Sequence, residues 1–289
     1  MSQTIGFVGI GAMGSAIASR LVDTNTLWVN DLNPALAIPL KERGARFAPI
    51  DEIATCDVVF LSLPGPDNVL KLLLGDGGLA EKMNPGSLVI DTTSSTPIVD
   101  EGLVRDLAVK SISYIDAPIA GGVRRAYDGL ATLMVGATDE DFARAEPLLN
   151  TITSNVFHLG PVGAGHAAKL VNNLLNHCNR FATVEMITLA ERYGIAPDVM
   201  VDVLNVSSGR SYVTDYTYPE IVFPNLKQGF TLELMRKDAH LAGALADHVG
   251  QKLRVGSLVA EMMNEAVERL GGSADQTDLM QRWYPPVAD

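Results

Sequence analysis

Thr4-Ile5-Gly6-Phe7-Val8-Gly9-Ile10-Gly11-Ala12-Met13-Gly14 leads through Ser15 into Ala16-Ile17-Ala18-Ser19-Arg20-Leu21, and the reading of this junction decides the fold. The first residues form a short apolar run with the β-branched and aromatic side chains that suit a buried strand. Three glycines follow in the spacing GxGxxG, and a helix-period segment begins at once. In that setting the glycines permit a tight turn, close approach of backbone to a pyrophosphate, and close helix packing, with the phosphates at the positive helix end. The spacing alone would be weak, since glycine-rich turns also serve plain strand–helix connections. The flanking strand and helix turn it into a dinucleotide-binding signal that places Gly9, Ile10, Gly11, Ala12, Met13 and Gly14 against a cofactor.

Asp31 ends the second strand candidate about 20 residues further on, the distance at which a carboxylate meets the adenosine ribose. It would accept hydrogen bonds from both ribose hydroxyls and repel a 2′-phosphate. Leu32 follows it, so no adjacent cation is offered to such a phosphate. NAD is therefore expected over NADP, with Asp31 and Leu32 at the adenosine end. The competing role for Asp31 is to cap the turn it shares with Asn33 and Pro34.

Outward from this motif, β-rich runs alternate with helix-period segments as far as about residue 160: TIGFVG, TLWVN, DVVFLSLP, SLVIDT, SYIDAP, ATLMVG and NVFHLG are the strand candidates. Amphipathic segments such as 97–110 and 139–150 lie between them. Such alternation marks a doubly wound, parallel α/β sheet with crossover helices. After residue 163 the strand signal stops. Residues 164–193 form one unbroken apolar-periodic stretch without proline, ending at Gly194 with Pro197 beyond, a stop signal for a helix of about 30 residues and roughly 45 Å. Segments 197–206, 232–249, 255–270 and 276–283 also read as helices. The expectation is a Rossmann-type domain over 1–162 and an all-helical domain over 163–289, joined by the long helix.

A chain of 289 residues accommodates two domains of roughly 100–200 residues each. Its 47% hydrophobic and 19% charged content is that of a globular protein. With 22 basic and 34 acidic side chains the formal charge is −12, which argues against a nucleic-acid partner, because counterion release needs a clustered cationic face. Cys56 and Cys178 are too few for a disulfide framework and lack the spacing of a zinc site, so no metal is expected and a reducing compartment, the cytoplasm, fits best. The first residues carry no basic leader and reach Arg20 before an apolar run could span a bilayer, so neither signal peptide nor membrane association is expected.

Three further segments carry polar groups. Ile90 to Pro97 runs from a strand end into a hydroxyl-rich helix start, and helix capping before Pro97 accounts for only one of those hydroxyls. In Asp116-Ala117-Pro118-Ile119-Ala120-Gly121-Gly122 two successive glycines either turn N–H groups toward an anion such as a substrate carboxylate or simply make a turn. In Gly160 to Asn173, Lys169 and Asn173 lie four residues apart and share a helix face that continues through Asn176 and Arg180. A solvated edge is the ordinary account of such a stripe. Its start at the expected domain junction, where small-molecule sites are frequent, favours a functional one.

FVGIGAMG, Leu63-Pro64, IDTTSSTP, DAPIAGG, GPVGAGHAAKLVNN, NVSSGRSY and GFTLELMRKDAHLA occur in an order and spacing that resemble the β-hydroxyacid dehydrogenase family from end to end. That family includes 3-hydroxyisobutyrate dehydrogenases, tartronate semialdehyde reductases, 2-(hydroxymethyl)glutarate dehydrogenases and glyoxylate or succinic semialdehyde reductases. The resemblance implies hydride transfer between NAD and a small β-hydroxy acid, or reduction of the matching semialdehyde. It makes Lys169 the catalytic lysine and Asn173 its partner in orienting substrate. Ala120, Gly121 and Gly122 would border the substrate carboxylate, and Ser94 would sit beside cofactor and substrate. Leu63, Pro64, Thr93 and, from the helical domain, Lys237 would border the cofactor.

Two departures stand out. Family members usually carry serine at the position of Ala120, so a hydroxyl expected to contact substrate is missing. Arg124 and Arg125 follow the glycine pair; a charged loop in water is the favoured account, and a response to a second negative charge on the substrate is the alternative. Arg210 is a similar candidate in the helical domain. The expected partners are a small carboxylate or sulfonate substrate and other copies of the chain, as homodimer or homotetramer. A nucleotide-binding sensor or scaffold is the non-enzymatic alternative, against which the joint presence of Lys169 and Asn173 argues. Imine reductases usually replace the lysine, and a 6-phosphogluconate dehydrogenase would need a much longer helical domain.

Overall fold

The computed structural model of the protein describes residues 4–284. Among the described residues nine strands form one sheet: β1 (Thr4–Val8), β2 (Thr26–Asn30), β3 (Arg46–Phe47), β4 (Val58–Leu61), β5 (Leu88–Asp91), β6 (Ser113–Asp116), β7 (Ile119–Ala120), β8 (Thr132–Gly136) and β9 (Asn155–Gly160). The order is β3-β2-β1-β4-β5-β6-β8-β7, with β9 paired to β8. From β3 to β6 every pairing is parallel, so this is a doubly wound sheet whose direction of growth reverses between β1 and β4. That reversal opens a crevice at the carboxyl ends of the strands.

Side chains alternate across the sheet and feed two cores. Phe7 and Phe60 enter one with Ile17 and Ile115, whereas Val8, Val59 and Leu61 enter the other with Leu73 and Leu107. Phe7 and Phe60 are register partners and stack with ring centroids 5.6 Å apart. Strands buried on both faces need this nearly continuous apolar composition, as in VVFL and LVID.

The expected doubly wound parallel sheet carries an antiparallel part at one edge. β7 and β6 both pair antiparallel with β8. The two meet β8 in one continuous register, Asp116 against Gly136 and Ile119 against Leu133, with the Met134 N–H donating to the Pro118 carbonyl between them at 3.1 Å. β3 and β7, each two residues long, carried no legible pattern.

The helix Ala164–Tyr193 is 30 residues long and begins and ends where the periodicity and the glycine stop placed it. By contact, the chain divides into Met1–Lys169 and Leu170–Asp289, inside this helix rather than between 162 and 163. The reason is local: the helix's first turn is bonded by its backbone to β6, as described below. The second unit holds helices Pro197–Asn205, Leu232–His248, Arg254–Leu270 and Gln276–Arg282, close to the expected spans. A π-helical segment, Val213–Val222, was not expected, because its sequence lacks an apolar 3.6 period and contains Pro219. The core of this unit gathers Phe181, Leu232, Met235, Met263, Leu279 and Trp283, with Phe181 meeting Trp283 edge to face at 5.6 Å.

Candidate functional site

The glycine loop occupies the turn between β1 and the helix Ala12–Leu21. A Cβ on Gly14 would lie 1.9 Å from the Gly9 carbonyl oxygen, and one on Gly9, whose φ is +89°, would lie 2.3 Å from the Ser62 carbonyl oxygen. Both glycines are explained by the chain's own packing. Gly11 is different: its φ is −63°, which any residue adopts, and a Cβ there would meet nothing within 4 Å. What a side chain at Gly11 would obstruct therefore lies outside the chain, as a pyrophosphate does. The helix N-terminus has neither a side-chain cap nor an acidic residue in its first turn, so its N–H groups and positive end can serve an anion. These residues fit a dinucleotide.

Asp31 binds this loop to the end of β2. Its Oδ2 accepts the Ile10 N–H at 2.8 Å and its Oδ1 accepts the Asn33 N–H at 2.8 Å. The turn-capping role weighed against the ribose role is thus present, and each oxygen keeps a further lone pair for a hydroxyl. Leu32 stands fully exposed beside it. Across the crevice, Thr93 Oγ1 accepts the Leu63 N–H at 3.0 Å and so holds the Leu63-Pro64 turn. Thr92 donates to the Leu61 carbonyl at 2.7 Å, and Thr96 caps the helix Pro97–Ala108. Three hydroxyls of the run are therefore structural, and Ser94 remains half-buried at the strand end. Ser95 is buried, and its Oγ has no hydrogen-bond partner among the described residues.

The parallel register of β5 and β6 sets Asp91 beside Asp116, each closing its strand and each fully buried. Asp116 accepts the N–H of Gly163 at 2.7 Å on one oxygen and that of His166 at 2.6 Å on the other. A carboxylate thus satisfies orphan donors at the start of the long helix and meets its positive end. Gly165 allows this approach, since a Cβ there would come within 2.2 Å of the Met134 carbonyl oxygen. Burial drives the Asp116 carboxyl up to about 6 against the pull of His166 and its two backbone donors. His166 is itself fully buried, with Nδ1 at 2.7 Å from Asp100 Oδ2 and Nε2 at 2.8 Å from the Thr93 carbonyl oxygen. Tyr114 joins Asp91 at 2.9 Å to Asp100 at 3.1 Å through its hydroxyl. Asp100, Asp116 and His166 are ligand types gathered within 4.8 Å. Their contacts are nonetheless hydrogen bonds of ordinary length, and both Asp116 oxygens are taken by N–H groups, so protons fill this cluster.

Lys169 is half-buried one turn beyond His166 on the same helix, within the first unit. Asn173, one turn further, belongs to the second. There its Nδ2 donates to Asp238 Oδ2 at 2.7 Å, which fixes the orientation of the amide. Asp238 is buried, and its other oxygen lies 3.5 Å from Lys237 Nζ. Asn172 Nδ2 donates to Asn173 Oδ1 at 3.1 Å. The competing account of the stripe, a solvated edge, does not hold at Arg180. Arg180 is buried, its Nη2 directed to Asn176 Oδ1 at 3.4 Å and its Nη1 to Met280 Sδ at 3.0 Å, and burial lowers its pKa to about 10.

The glycine pair adopts successive positive φ values, +118° at Gly121 and +83° at Gly122, a conformation closed to other residues at both positions. Ala120 ends β7 and offers no polar side chain. Arg125 lies over Gly121 and donates to the Leu130 carbonyl at 2.9 Å, whereas Arg124 is exposed. Arg210 forms an exposed ion pair with Asp215 at 2.9 Å. Asp91, Asp100, Tyr114, His166 and Asp238 were not singled out from sequence. The available signal was an aspartate closing each of two strands, LVID and SYID, whose ends are buried, where a carboxyl is not tolerated without partners.

Residues 4–160 match the family described as the NAD binding domain of 6-phosphogluconate dehydrogenase, and residues 163–283 the family described as NAD-binding of NADP-dependent 3-hydroxyisobutyrate dehydrogenase. The chain is 34% identical to 2-(hydroxymethyl)glutarate dehydrogenase of Eubacterium barkeri over 83% of its own length and 81% of that protein's. It is also 34% identical to 3-hydroxyisobutyrate dehydrogenase of Pseudomonas aeruginosa, over 90% of this chain and 91% of the relative. The solved 3-hydroxyisobutyrate dehydrogenase of Mycobacterium tuberculosis with L-serine is similar at a TM-score of 0.87 and 25% identity, covering 99% of this chain and 100% of that one. Glycine loop, doubly wound sheet, helical second unit and these similarities agree: the chain belongs to the β-hydroxyacid dehydrogenase family, nicotinamide-dependent oxidoreductases of small hydroxy acids.

Proposed function

We propose that the protein oxidises a small β-hydroxy acid of the 3-hydroxyisobutyrate type with NAD, or reduces the matching semialdehyde, using Lys169 as general base and acid. The observation that supports this most is the anchoring of the lysine's helix. Two N–H groups at its start are held on the buried Asp116 carboxylate, so the half-buried Lys169 leaves the helix from a fixed turn. Gly9 to Gly14, Asp31, Leu32, Leu63, Pro64, Thr93 and Ser94 would hold the coenzyme, with Lys237 assisting. When bound, the nicotinamide supplies the hydride acceptor.

In oxidation the neutral Lys169 amine takes the hydroxyl proton onto Nζ while the hydride leaves the same carbinol carbon, and a carbonyl forms. In the reverse direction the ammonium returns that proton to the forming alkoxide. Asn173, its amide set by Asp238, orients the reacting oxygen. The backbone at Gly121 and Gly122 holds the acid group, and Ser94 closes the site beside it. Arg210, which forms an exposed ion pair with Asp215, is the candidate from the second unit for a further negative charge on the substrate.

An absorbance screen for reduced nicotinamide tests the proposal, with 3-hydroxyisobutyrate, glycerate, 4-hydroxybutyrate, hydroxymethylglutarate and sulfonated analogues, each with NAD and NADP. Turnover is expected on a three- or four-carbon β-hydroxy acid with NAD; inactivity on all of them, with intact NAD binding, would favour a nucleotide sensor. Asp31→Ala is expected to narrow the preference for NAD over NADP at least tenfold, about 1.4 kcal/mol. A wild type that already prefers NADP would contradict the role given to Asp31.

A homodimer or homotetramer belongs to the same proposal. Val171, Leu175, Met186, Leu189 and Tyr193 are exposed along one face of the long helix, an apolar stripe suited to a second copy. A reducing compartment suits the two free cysteines, and no described helix is long and apolar enough to cross a membrane.

A further inference from the structure

We propose that His166, as an imidazolium donating from both ring nitrogens, is a positioning residue: it fastens the Thr93-Ser94 turn to Asp100 and to the first turn of the helix that carries Lys169. The proposal rests on the dehydrogenase reading for the roles of Lys169 and Ser94.

The proton count around the ring leads to this state. Nε2 faces a carbonyl oxygen, which only accepts, so Nε2 carries hydrogen. Nδ1 faces Asp100 Oδ2, and a carboxylate there requires hydrogen on Nδ1 as well. Tyr114 lies within hydrogen-bond distance of both Asp91 and Asp100 but has one proton. The consistent arrangement gives Asp91 a proton, donated to the Tyr114 oxygen, while Tyr114 donates to Asp100. Burial raises the Asp91 carboxyl, which suits it to this role, and the Thr93 N–H donates to its other oxygen at 2.9 Å.

Three elements therefore meet at one residue: the turn after β5 through the Thr93 carbonyl and the helix Pro97–Ala108 through Asp100, both on the ring, and the end of β6 through the His166 backbone N–H on Asp116. The charged and titratable groups acting on the ring are Asp91, Asp100 and Asp116, with Tyr114 bonded to the first two. Burial pushes the ring's pKa down, and Asp100, through its charge and its hydrogen bond, together with Asp116 more than compensates, lifting it to about 9. None of these groups is on the surface. Lys169 follows three residues later, so a shift of the helix start relative to Thr93-Ser94 would move the amine relative to the reacting carbon.

Nitrogen NMR of imidazole-labelled wild-type protein is the test, together with kcat in the oxidation direction and amide exchange at Thr93 and Leu63. Both ring nitrogens are expected to be protonated at pH 7.5. As pH rises through about 9 the ring should become neutral, the two amides should lose protection, and kcat should fall at least tenfold with coenzyme affinity unchanged within twofold. Deprotonation of Lys169 can only assist oxidation, so a fall in that window reports the ring. His166→Gln should show the lower kcat at every pH and no alkaline fall. A neutral imidazole at pH 7.5, a kcat indifferent to the ring's titration, or a folded His166→Gln protein with wild-type kcat would each overturn the proposal. If His166→Gln does not fold, the wild-type titration decides. If the wild type oxidises no hydroxy acid at any pH, the dehydrogenase reading is what fails, and amide protection that survives neutralisation of the ring would refute the positioning role separately.

Discussion

Lys169→Ala should slow hydroxy-acid oxidation by roughly 10²–10⁴-fold, the usual contribution of a positioned acid–base group, while NAD affinity changes no more than about twofold. Alanine is the best helix former, and the side chain removed is only half-buried, so the helix should persist. The start of that helix is held by Asp116 through Gly163 and His166 and does not depend on the lysine. Lys169→Arg should be equally inactive in oxidation, because a guanidinium does not deprotonate in the working range. Steady-state rates from nicotinamide absorbance and affinities from calorimetry separate the two effects. Wild-type turnover by Lys169→Ala would remove the general-base assignment, and lost NAD binding would show that the variant had disturbed the fold.

Gly11→Ala and Gly14→Ala should fail in opposite ways. At Gly14 an added methyl would enter the Gly9 carbonyl at 1.9 Å, so strand and helix must move apart and stability should drop by about 3 kcal/mol or more. At Gly11 the methyl meets no atom of the chain within 4 Å and the backbone suits alanine, so the melting transition should shift little, by about 1 kcal/mol or less. Coenzyme binding should nevertheless weaken roughly 10- to 100-fold, the loss of about 1.5–3 kcal/mol when a charged group is pushed off its N–H donors. Equal NAD affinity in Gly11→Ala and wild type would mean that the pyrophosphate does not approach this turn. A stable Gly14→Ala protein would mean that helix and strand are less closely packed than 1.9 Å implies.

Much of the architecture is legible in the sequence because it is written in short-range periodicity. The GxGxxG turn lies between a strand run and a helix run, each readable over a few residues. The helix 164–193 shows its length through an unbroken period and its end through Gly194. Lys169 and Asn173 share a face because helical geometry puts positions four apart together, wherever the helix goes. Failures of the reading fall where the pattern is short or irregular: the two-residue strands, the antiparallel pairing of β6 and β7 with β8, and the π-helical segment around Pro219.

What the chain's order alone determined is the doubly wound sheet, the glycine loop, the long helix and the lysine upon it, all consequences of neighbours in sequence. Only the folded structure decided that Asp91 and Asp116 stand side by side, that Asp100 reaches a histidine 66 positions away, and that Asp238 turns the amide of Asn173. Such meetings depend on strand register and on the dielectric of a dry interior, where a charge persists only beside a partner, and no local pattern of residue types encodes which partner that is.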